Sequence, residues 1–151
     1  AGGGPEESRL RRLISASQLE HQVSLLGPIP RSDVMNRLAS SDVLLFPSLR
    51  DGGGTVVIEA MSAAKPVVCL DASGPGLHIT GECGIKVEPR SPGETMASLA
   101  DALERLYLDE GLRKKMGEAG HERASKSYHW DKLGERLMEI YQPIISTEIG
   151  T

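Results

Sequence analysis

Aromatic residues are scarce in this sequence, whose 151 residues include one Trp, one Phe and three Tyr. Proteins that bind single-stranded nucleic acids stack successive bases on exposed aromatic rings, so the composition disfavours that function. An excess of positive charge is also missing, because 17 Lys and Arg are outnumbered by 21 Asp and Glu and leave a net charge of −4. Phosphate backbones attract basic surfaces, and we therefore expect no nucleic-acid partner.

Long apolar runs, cysteine pairs and metal-binding patterns are missing as well. No run approaches the roughly 20 apolar residues that span a membrane, and the first thirty residues lack the layout of a signal peptide. Cys69 and Cys83 are too few for a disulfide framework, which favours a reducing, cytoplasmic environment. The four His residues are scattered without His-x-x-x-His spacing, so we expect no bound metal.

Short apolar segments alternate with helical patterns along the first two thirds of the chain. Strands are predicted at residues 23–26, 43–46, 66–70 and 84–89, and helices between them and after residue 92. This alternation predicts an α/β fold with a doubly wound, mostly parallel sheet, followed by C-terminal helices. No linker divides the chain, so we expect a single domain over residues 1–151.

The predicted topology indicates where a ligand would bind. Doubly wound sheets bind ligands beyond the carboxyl ends of their strands, which directs attention to the loops at residues 27–31, 47–54 and 71–77. Within the last of these, Gly74-Pro75-Gly76 is expected to be a loop at the end of a strand, which either flanks the ligand or is a plain turn. At the C-terminal end, Trp130 is expected to pack the last helix against the domain, and the apolar stripe of that helix to lie in the core or at a domain interface.

The predicted helix over residues 55–64 is apolar around most of its circumference. Its polar residues Thr55, Glu59 and Ser62 fall on one narrow stripe. A helix of this kind is buried, and a lone carboxylate on it costs free energy unless a partner neutralises it. Glu59 therefore either meets a cation, an amide or solvent, or binds a ligand, and the helix alone leaves both alternatives open.

A glycine-rich loop, Asp51 to Gly54, leads directly into this helix. Glycines allow a ligand to approach the backbone closely, and the free N–H groups of a helix start favour phosphate. Carboxylates accept hydrogen bonds from hydroxyl groups. The arrangement predicts a diphosphate at the helix start, with hydroxyl groups bound on either side by Asp51 and Glu59.

Three other nucleotide-binding or phosphoacceptor classes fit the sequence less well. The loop has neither the Gly-x-Gly-x-x-Gly pattern of a dehydrogenase nor the Lys and Ser/Thr of a P-loop. A receiver-type domain needs an acidic pair beside its phosphorylated Asp, and no such pair accompanies Asp71, which follows a predicted strand.

The segment from Phe46 to Met61 resembles the signature of the retaining nucleotide-sugar glycosyltransferases of GT-B fold, in family 4 (glycosyl transferases group 1). The shared pattern is an acid, seven residues, Glu, Ala-Met and then a Pro-Val-Val strand, here residues 65–68. Flanking segments resemble the family as well: residues 2–6 its Gly-x-Gly-Pro turn, residues 26–30 its Gly-Pro-Val-Pro loop, and residues 129–141 its C-terminal helix. The resemblance covers nearly the whole chain and implies a Rossmann-like domain, the C-terminal half of the GT-B fold.

The resemblance also implies roles for individual residues. Glu59 would bind the ribose hydroxyls of the donor, and Asp51 would lie near the transferred sugar. Pro28 and Ile29 would lie against the base. The loop and helix start that would hold the diphosphate comprise Gly52, Gly53, Gly54, Thr55 and Val56. The family retains the anomeric configuration and usually needs no metal, and its donors here would be UDP- or GDP-sugars.

Three positions depart from the family pattern. Asp51 stands where Glu is commoner, and its side chain is one methylene shorter. Gly53 replaces a Phe that the loop often contains. Ala64 stands where Gly usually precedes the Pro-Val-Val strand.

The family's second domain begins with a strand, a Gly-Arg turn and a Lys-Gly helix start, and this sequence begins after them. We therefore interpret the chain as an N-terminally truncated fragment of the donor-binding domain, inactive alone. Its expected partner is the acceptor-binding N-terminal domain of the same protein. A peripheral association of the protein with the inner face of a membrane, made through that N-terminal half, stays an open alternative.

Because the missing strands would lie beside residues 43–46, we expect an exposed apolar sheet edge there and marginal stability of the chain alone. The alternative function is a module that binds nucleotide sugars without transferring them.

Overall fold

The computed structural model describes residues 1–72 and 74–148, and its helices and strands follow the predicted alternation. The elements are α1 (Glu7–Ala16), α2 (Arg31–Ser40), β1 (Leu44–Phe46), α3 (Thr55–Ser62), β2 (Val67–Leu70), α4 (Gly74–His78), β3 (Gly84–Val87), α5 (Pro92–Leu108), α6 (Glu110–Ser127) and α7 (Trp130–Glu148).

The three strands form one parallel sheet in the order β1-β2-β3. Leu44 pairs with Val67, and Val67 pairs with Gly84. All four residues of β2 are buried, as expected for a parallel strand covered on both faces. The parallel α/β architecture is therefore confirmed. Strand β1 pairs with a described strand on one side only, and its Leu45 is 40% exposed, which agrees with the predicted apolar edge.

Two compact units divide the chain, residues 1–37 and residues 38–151, and each is described by itself. In the first unit, α1 forms exposed ion pairs from Arg9 to Glu6 and from Arg11 to Glu7. The single domain expected over residues 1–151 stays a prediction.

The strand predicted at residues 23–26 is wrong for the described chain, because this segment is irregular. A segment forms a strand only where its N–H and C=O groups pair with those of a neighbouring strand. Within the described residues no strand pairs with residues 23–26. The nearby backbone hydrogen bond, from Gly2 N–H to the Gly27 carbonyl at 2.7 Å, joins the end of this segment to the N-terminal residues.

The core of the second unit lies between the sheet and helices α5 and α6. Its buried residues are Val68, Leu70, Val87, Ala102, Leu106 and Met116. Helix α5 begins at a capping box, in which the Ser91 hydroxyl accepts from the Glu94 N–H and the Glu94 carboxylate accepts from the Ser91 N–H. Helices α3 and α6 pack closely at Gly117, where a Cβ atom would overlap the Ala64 carbonyl. This contact fixes how closely α6 approaches the end of α3.

Helix α7 differs from its expected packing. Trp130 is 84% exposed, so the prediction that it packs the helix against the domain is wrong. Leu137 and Ile140, from the predicted apolar stripe, are 51% and 62% exposed. Among the described elements α7 packs mainly against the neighbouring helix α6, which leaves its apolar side chains outside the core. None of the described helices combines the length and the apolar content that crossing a membrane requires.

Candidate functional site

Helix α3 has the predicted distribution of apolar and polar residues. Val57, Ala60 and Met61 are fully buried, whereas Thr55 and Ser62 are exposed. Glu59, which lies between them on the same stripe, is half-buried. The residue is therefore not fully removed from solvent, and the desolvation cost that a fully buried charge would carry is reduced.

The loop before α3 is shaped by the Asp51 side chain. Its Oδ1 accepts hydrogen bonds from the N–H groups of Gly53, at 3.0 Å, and Gly54, at 2.6 Å. Side-chain acceptors two and three residues before an amide stabilise such turns. Sequence reasoning assigned Asp51 only to the ligand, although an Asp followed by glycines was a recognisable signal for this turn.

The N-terminal end of α3 presents open hydrogen-bond donors. Gly54 adopts a left-handed conformation with φ 56° and ψ 32°, and no side chain caps the helix. The Val57 N–H donates to the Gly54 carbonyl at 2.8 Å, but within residues 1–72 and 74–148 the N–H groups of Thr55 and Val56 meet no acceptor. With the positive end of the helix dipole, these groups favour an anion.

Helix α4 packs directly against the loop. The Gly74 N–H donates to the Asp51 carbonyl at 3.1 Å. A Cβ atom on Gly74 would lie 2.9 Å from the carbonyl oxygens of Asp51 and Gly52, and one on Gly54 would lie 3.2 Å from Pro75. Gly54 and Gly74 are thus required by packing, whether or not a ligand binds.

The loop predicted at Gly74-Pro75-Gly76 is wrong, because these residues begin α4; that they flank a ligand stays a prediction. Proline fits the first turn of a helix, where its missing N–H costs no hydrogen bond. Ser73, which belongs to the predicted loop over residues 71–77, lies outside the described residues.

His78, at the end of α4, joins the loop to α6. Its Nε2 lies 2.9 Å from the Gly53 carbonyl oxygen, and its Nδ1 lies 2.9 Å from the Tyr128 hydroxyl. The two rings also meet edge to face, with centroids 5.1 Å apart, and Arg123 Nε donates to the His78 carbonyl. Sequence reasoning missed these contacts because their partners are 25, 50 and 45 residues away along the chain.

Neither cysteine forms a reactive pair with His78. Both ring nitrogens of His78 are engaged elsewhere, and the Cys83 sulfur lies against Thr80. Cys69 is fully buried in β2. Burial, followed by the nearby Asp71 carboxylate, raises the pKa of the Cys69 thiol to about 11, so this thiol is protonated at neutral pH and is a poor nucleophile.

The other residues of the predicted site lie at or near the protein surface. Pro28 is exposed and Ile29 is half-buried, both in the first unit. Gly52 and Gly53 are exposed at the surface of the loop. Within the described residues, no three His, Cys, Asp or Glu side chains cluster as metal ligands. The roles of these residues in binding, and the absence of a metal, stay predictions.

A sequence model of the family described as glycosyl transferases group 1 matches residues 1–123, which include the Asp51 loop and α3. The chain belongs to the glycosyl transferases group 1 family. A curated relative of this group 1 domain is the GDP-mannose-dependent monoacylated alpha-(1-6)-phosphatidylinositol monomannoside mannosyltransferase of Corynebacterium glutamicum. It is 32% identical over 148 residues, which cover 93% of this chain and 37% of the relative. The group 1 domain spans about a third of the length of the curated relatives it matches.

Solved structures show the same fold as this group 1 domain. Sucrose-phosphate synthase from Thermosynechococcus elongatus matches with a TM-score of 0.80 at 23% identity, over 97% of this chain and 38% of that one. HepE from Anabaena, solved in complex with UDP, matches with a TM-score of 0.73 at 23% identity, over 90% of this chain and 36% of that one. The fold is therefore that of part of a GT-B glycosyltransferase.

The structure also accounts for one departure of this group 1 domain from its family pattern. Ala64, where the family usually has Gly, lies just after α3 in a left-handed conformation with φ 56°. This conformation costs an L-residue about 1–2 kcal/mol and costs glycine almost nothing. Glycine is therefore the residue that the backbone favours at this position.

Proposed function

We propose that this group 1 domain binds a nucleotide-diphosphate sugar, a UDP- or GDP-sugar, and presents it for retaining transfer to an acceptor. The observation that carries the proposal is the open start of α3, where the Thr55 and Val56 N–H groups lack acceptors in the described chain. A developing negative charge on a leaving diphosphate is stabilised best by donors that are already oriented. The GDP-mannose dependence of one relative and the UDP bound to one structural neighbour support a donor of this class.

Each end of the donor has a proposed partner. The diphosphate lies at Gly52, Gly53 and the first turn of α3. The Glu59 carboxylate, one turn further along the helix, accepts hydrogen bonds from the ribose hydroxyls. The residue is half-buried and not enclosed in the core. Asp51 lies near the transferred sugar, and Pro28 and Ile29 contact the base.

In the proposed role of Asp51, the two oxygens of its carboxylate have different partners. Oδ1 holds the turn through the Gly53 and Gly54 amides. A carboxylate has two oxygens and several acceptor sites, so the other oxygen is chemically suited to a sugar hydroxyl. The shorter side chain of Asp, compared with the more usual Glu, fits an acid that also closes its own turn.

Transfer requires more than this chain. The acceptor is proposed to bind the N-terminal domain of the same protein, so the chain alone is expected to be inactive. We expect the protein to act in the cytoplasm, with any association with the inner face of a membrane made through that other half. Because oriented amides and a helix end supply the stabilisation, transfer is expected to persist in the presence of EDTA.

Donor binding is tested in the intact protein by calorimetric titration with UDP, GDP and their glucose and mannose conjugates. Glu59→Gln, which keeps the shape of the side chain and removes its charge, is expected to weaken binding about ten- to a hundredfold, the usual cost of losing hydrogen bonds to a charged group. The matched control is Glu118→Gln on α6, where the side chain is exposed. If no nucleotide binds the wild-type protein at millimolar concentration, the proposal is wrong.

A second assay separates the enzyme from the alternative, a module that binds nucleotide sugars without transferring them. Sugar transfer or donor hydrolysis, followed by NMR of the anomeric proton, reports both the reaction and its stereochemistry. A product with the same anomeric configuration as the donor is expected. Binding without any turnover in the intact protein favours the binding module.

A further inference from the structure

We propose that His78 is a positioning residue, which fixes the Gly53–Gly54 peptide and so holds the start of α3, with its Thr55 and Val56 N–H groups, towards the donor diphosphate. The inference rests on the proposed function, since it assigns a residue outside the family signature to the same site. It starts from the two hydrogen bonds of the His78 ring, at 2.9 Å each.

The two contacts fix the direction of both hydrogen bonds. A carbonyl oxygen only accepts, so Nε2 carries the hydrogen that is donated to the Gly53 carbonyl. In the neutral ring Nδ1 is then an acceptor, and the Tyr128 hydroxyl donates to it. A continuous chain of hydrogen bonds therefore runs from Tyr128, at the end of α6, through His78 to the glycine loop.

The Gly53–Gly54 peptide is held at both of its polar ends. Its carbonyl, on Gly53, accepts from His78, and its N–H, on Gly54, donates to Asp51 at 2.6 Å. The peptide unit is planar, and its C=O and N–H groups point in opposite directions in the trans form. His78 and Asp51 therefore define one orientation of the peptide plane from opposite sides.

The peptide needs these two hydrogen bonds because the backbone of a glycine rotates easily. Gly53 and Gly54 have no Cβ atoms, so their φ and ψ angles sample more conformations than those of other residues. Rotation of the peptide by half a turn would break both hydrogen bonds and turn the Gly53 carbonyl towards the Asp51 carboxylate, which repels it. It would also change the backbone angles from which α3 starts. Asp51 belongs to the loop itself, whereas His78 ties the peptide to α4 and α6.

His78 has a rigid support. Arg123 Nε donates to its carbonyl at 2.9 Å, and the edge of the ring contacts Tyr128. Arg123 and Tyr128 both lie at the C-terminal end of α6. A pre-oriented loop binds its ligand more tightly because less conformational entropy is lost on binding.

The chain offers a matched control in His121. Its Nδ1 lies 2.8 Å from the Ser62 carbonyl, so it makes the same type of hydrogen bond to the opposite end of α3. His78→Leu and His121→Leu therefore each remove one imidazole-to-carbonyl contact, but only the first faces the glycine loop. In His78→Gln the side-chain amide nitrogen replaces Nε2 as the donor to Gly53.

The experiment compares these variants in the intact protein. Calorimetry measures the Kd of whichever of UDP and GDP binds the wild-type protein, and saturation-transfer NMR measures binding of the matching nucleoside, which has no phosphate. His78→Leu is expected to weaken binding of the diphosphate about tenfold, the scale of lost pre-organisation, with the nucleoside unaffected. His78→Gln is expected to restore most of that loss, and His121→Leu to bind like the wild-type protein.

Hydrogen exchange supplies a readout that does not need a ligand. In the ligand-free protein, His78→Leu is expected to accelerate amide exchange in a peptide covering residues 50–57, and His78→Gln to slow it again. Should His78→Leu fail to fold, Tyr128→Phe takes its place, because it removes the hydroxyl donor to Nδ1 and keeps the ring contact.

Several results would overturn the inference and leave the proposed function intact. One is a His78→Leu protein that binds the diphosphate as tightly as the wild-type protein does. Another is equal weakening of the diphosphate and the nucleoside, which indicates general destabilisation, and a third is a His78→Gln protein that behaves like His78→Leu. Absence of diphosphate binding to the wild-type protein, in contrast, removes the proposed function and this inference with it.

Discussion

The two ends of helix α3 are built in different ways. At the C-terminal end the protein supplies its own partners, since the Ala63 and Lys65 N–H groups donate to carbonyls of the last turn and His121 contacts the Ser62 carbonyl. At the N-terminal end the Thr55 and Val56 N–H groups meet no acceptor among the described residues. One end of the helix is therefore closed by packing against α6, while the other end keeps the N–H donors that we propose for the diphosphate.

Glycines contribute to both ends, but for different reasons. Gly117 allows α6 to approach the backbone that follows α3, and Gly54 has both a left-handed conformation and a close neighbour in Pro75. The loop glycines Gly52 and Gly53 are exposed, and a Cβ atom on Gly52 would meet none of the described residues within 4 Å. A glycine-rich segment therefore contains positions that packing requires and others that packing leaves free.

The largest expected effect is at the closed end. In Gly117→Ala the new Cβ atom would overlap the Ala64 carbonyl, so α3 and α6 must separate, at a cost of about 3 kcal/mol in the free energy of unfolding. Urea denaturation measures this loss. The control is Gly134→Ala in α7, where a Cβ atom meets nothing within 4 Å and stability is expected to rise by about 1 kcal/mol. Equal effects of the two substitutions would contradict the close packing at Gly117.

At the open end, Gly54→Ala is expected to cost about 1–2 kcal/mol, because an L-residue at φ 56° is strained and its Cβ atom would press on Pro75. Gly53→Ala is the matched control, since among the described residues its Cβ atom would approach Thr55 alone, at 4.0 Å. Thermal or urea unfolding gives both values. A Gly53→Ala protein that loses as much stability as Gly54→Ala would show that the loop is constrained in another way.

A smaller effect is expected for the side chain that closes the loop. Asp51→Ala removes the acceptor of two N–H groups and is expected to reduce the free energy of unfolding by about 1 kcal/mol, as for a lost helix cap. Asp51→Asn keeps an acceptor oxygen and should lose less than half of that. Asp101→Ala, on the exposed face of α5, controls for removal of a surface carboxylate. If Asn is as destabilising as Ala, charge rather than hydrogen bonding holds the turn.

The smallest expected effect is a gain at the closed end. Ala64→Gly relieves the left-handed strain at φ 56° but adds conformational freedom to the unfolded chain, so a net stabilisation of about 0.5 kcal/mol is expected. Parallel urea titrations of the wild-type and variant proteins resolve a difference of this size. A loss of stability would indicate that the Ala64 methyl group makes a contact that outweighs the strain.

Local sequence patterns were sufficient for much of the architecture. Continuous apolar runs correctly predicted β1 and β2. The helical period correctly predicted the polar stripe of α3, and Glu59 lies on the less buried side of this helix. The strand predicted at residues 23–26 failed because a strand depends on a neighbour that its own residues do not encode. The prediction for Trp130 failed for a related reason, since burial of a helix face depends on what packs against it.

The residues of the site also differ in whether the local sequence pattern could predict them. Asp51, the glycines and Glu59 were recognisable as a group because they lie within nine consecutive residues, where spacing alone fixes their relation. His78 and Tyr128 were not, because nothing in the local pattern brings residues 50 positions apart into contact.

By itself the sequence determined the alternation of strands and helices, the acid-loop-helix segment and the family to which it belongs, because these depend on short-range periodicity and on residues close together in the chain. Only the tertiary structure decided which glycines are needed for packing, which end of α3 the protein closes and which side chain holds the Gly53 carbonyl. Those properties arise where α3, α4 and α6 meet, and contacts between distant segments are set by packing of the whole unit rather than by any one of them.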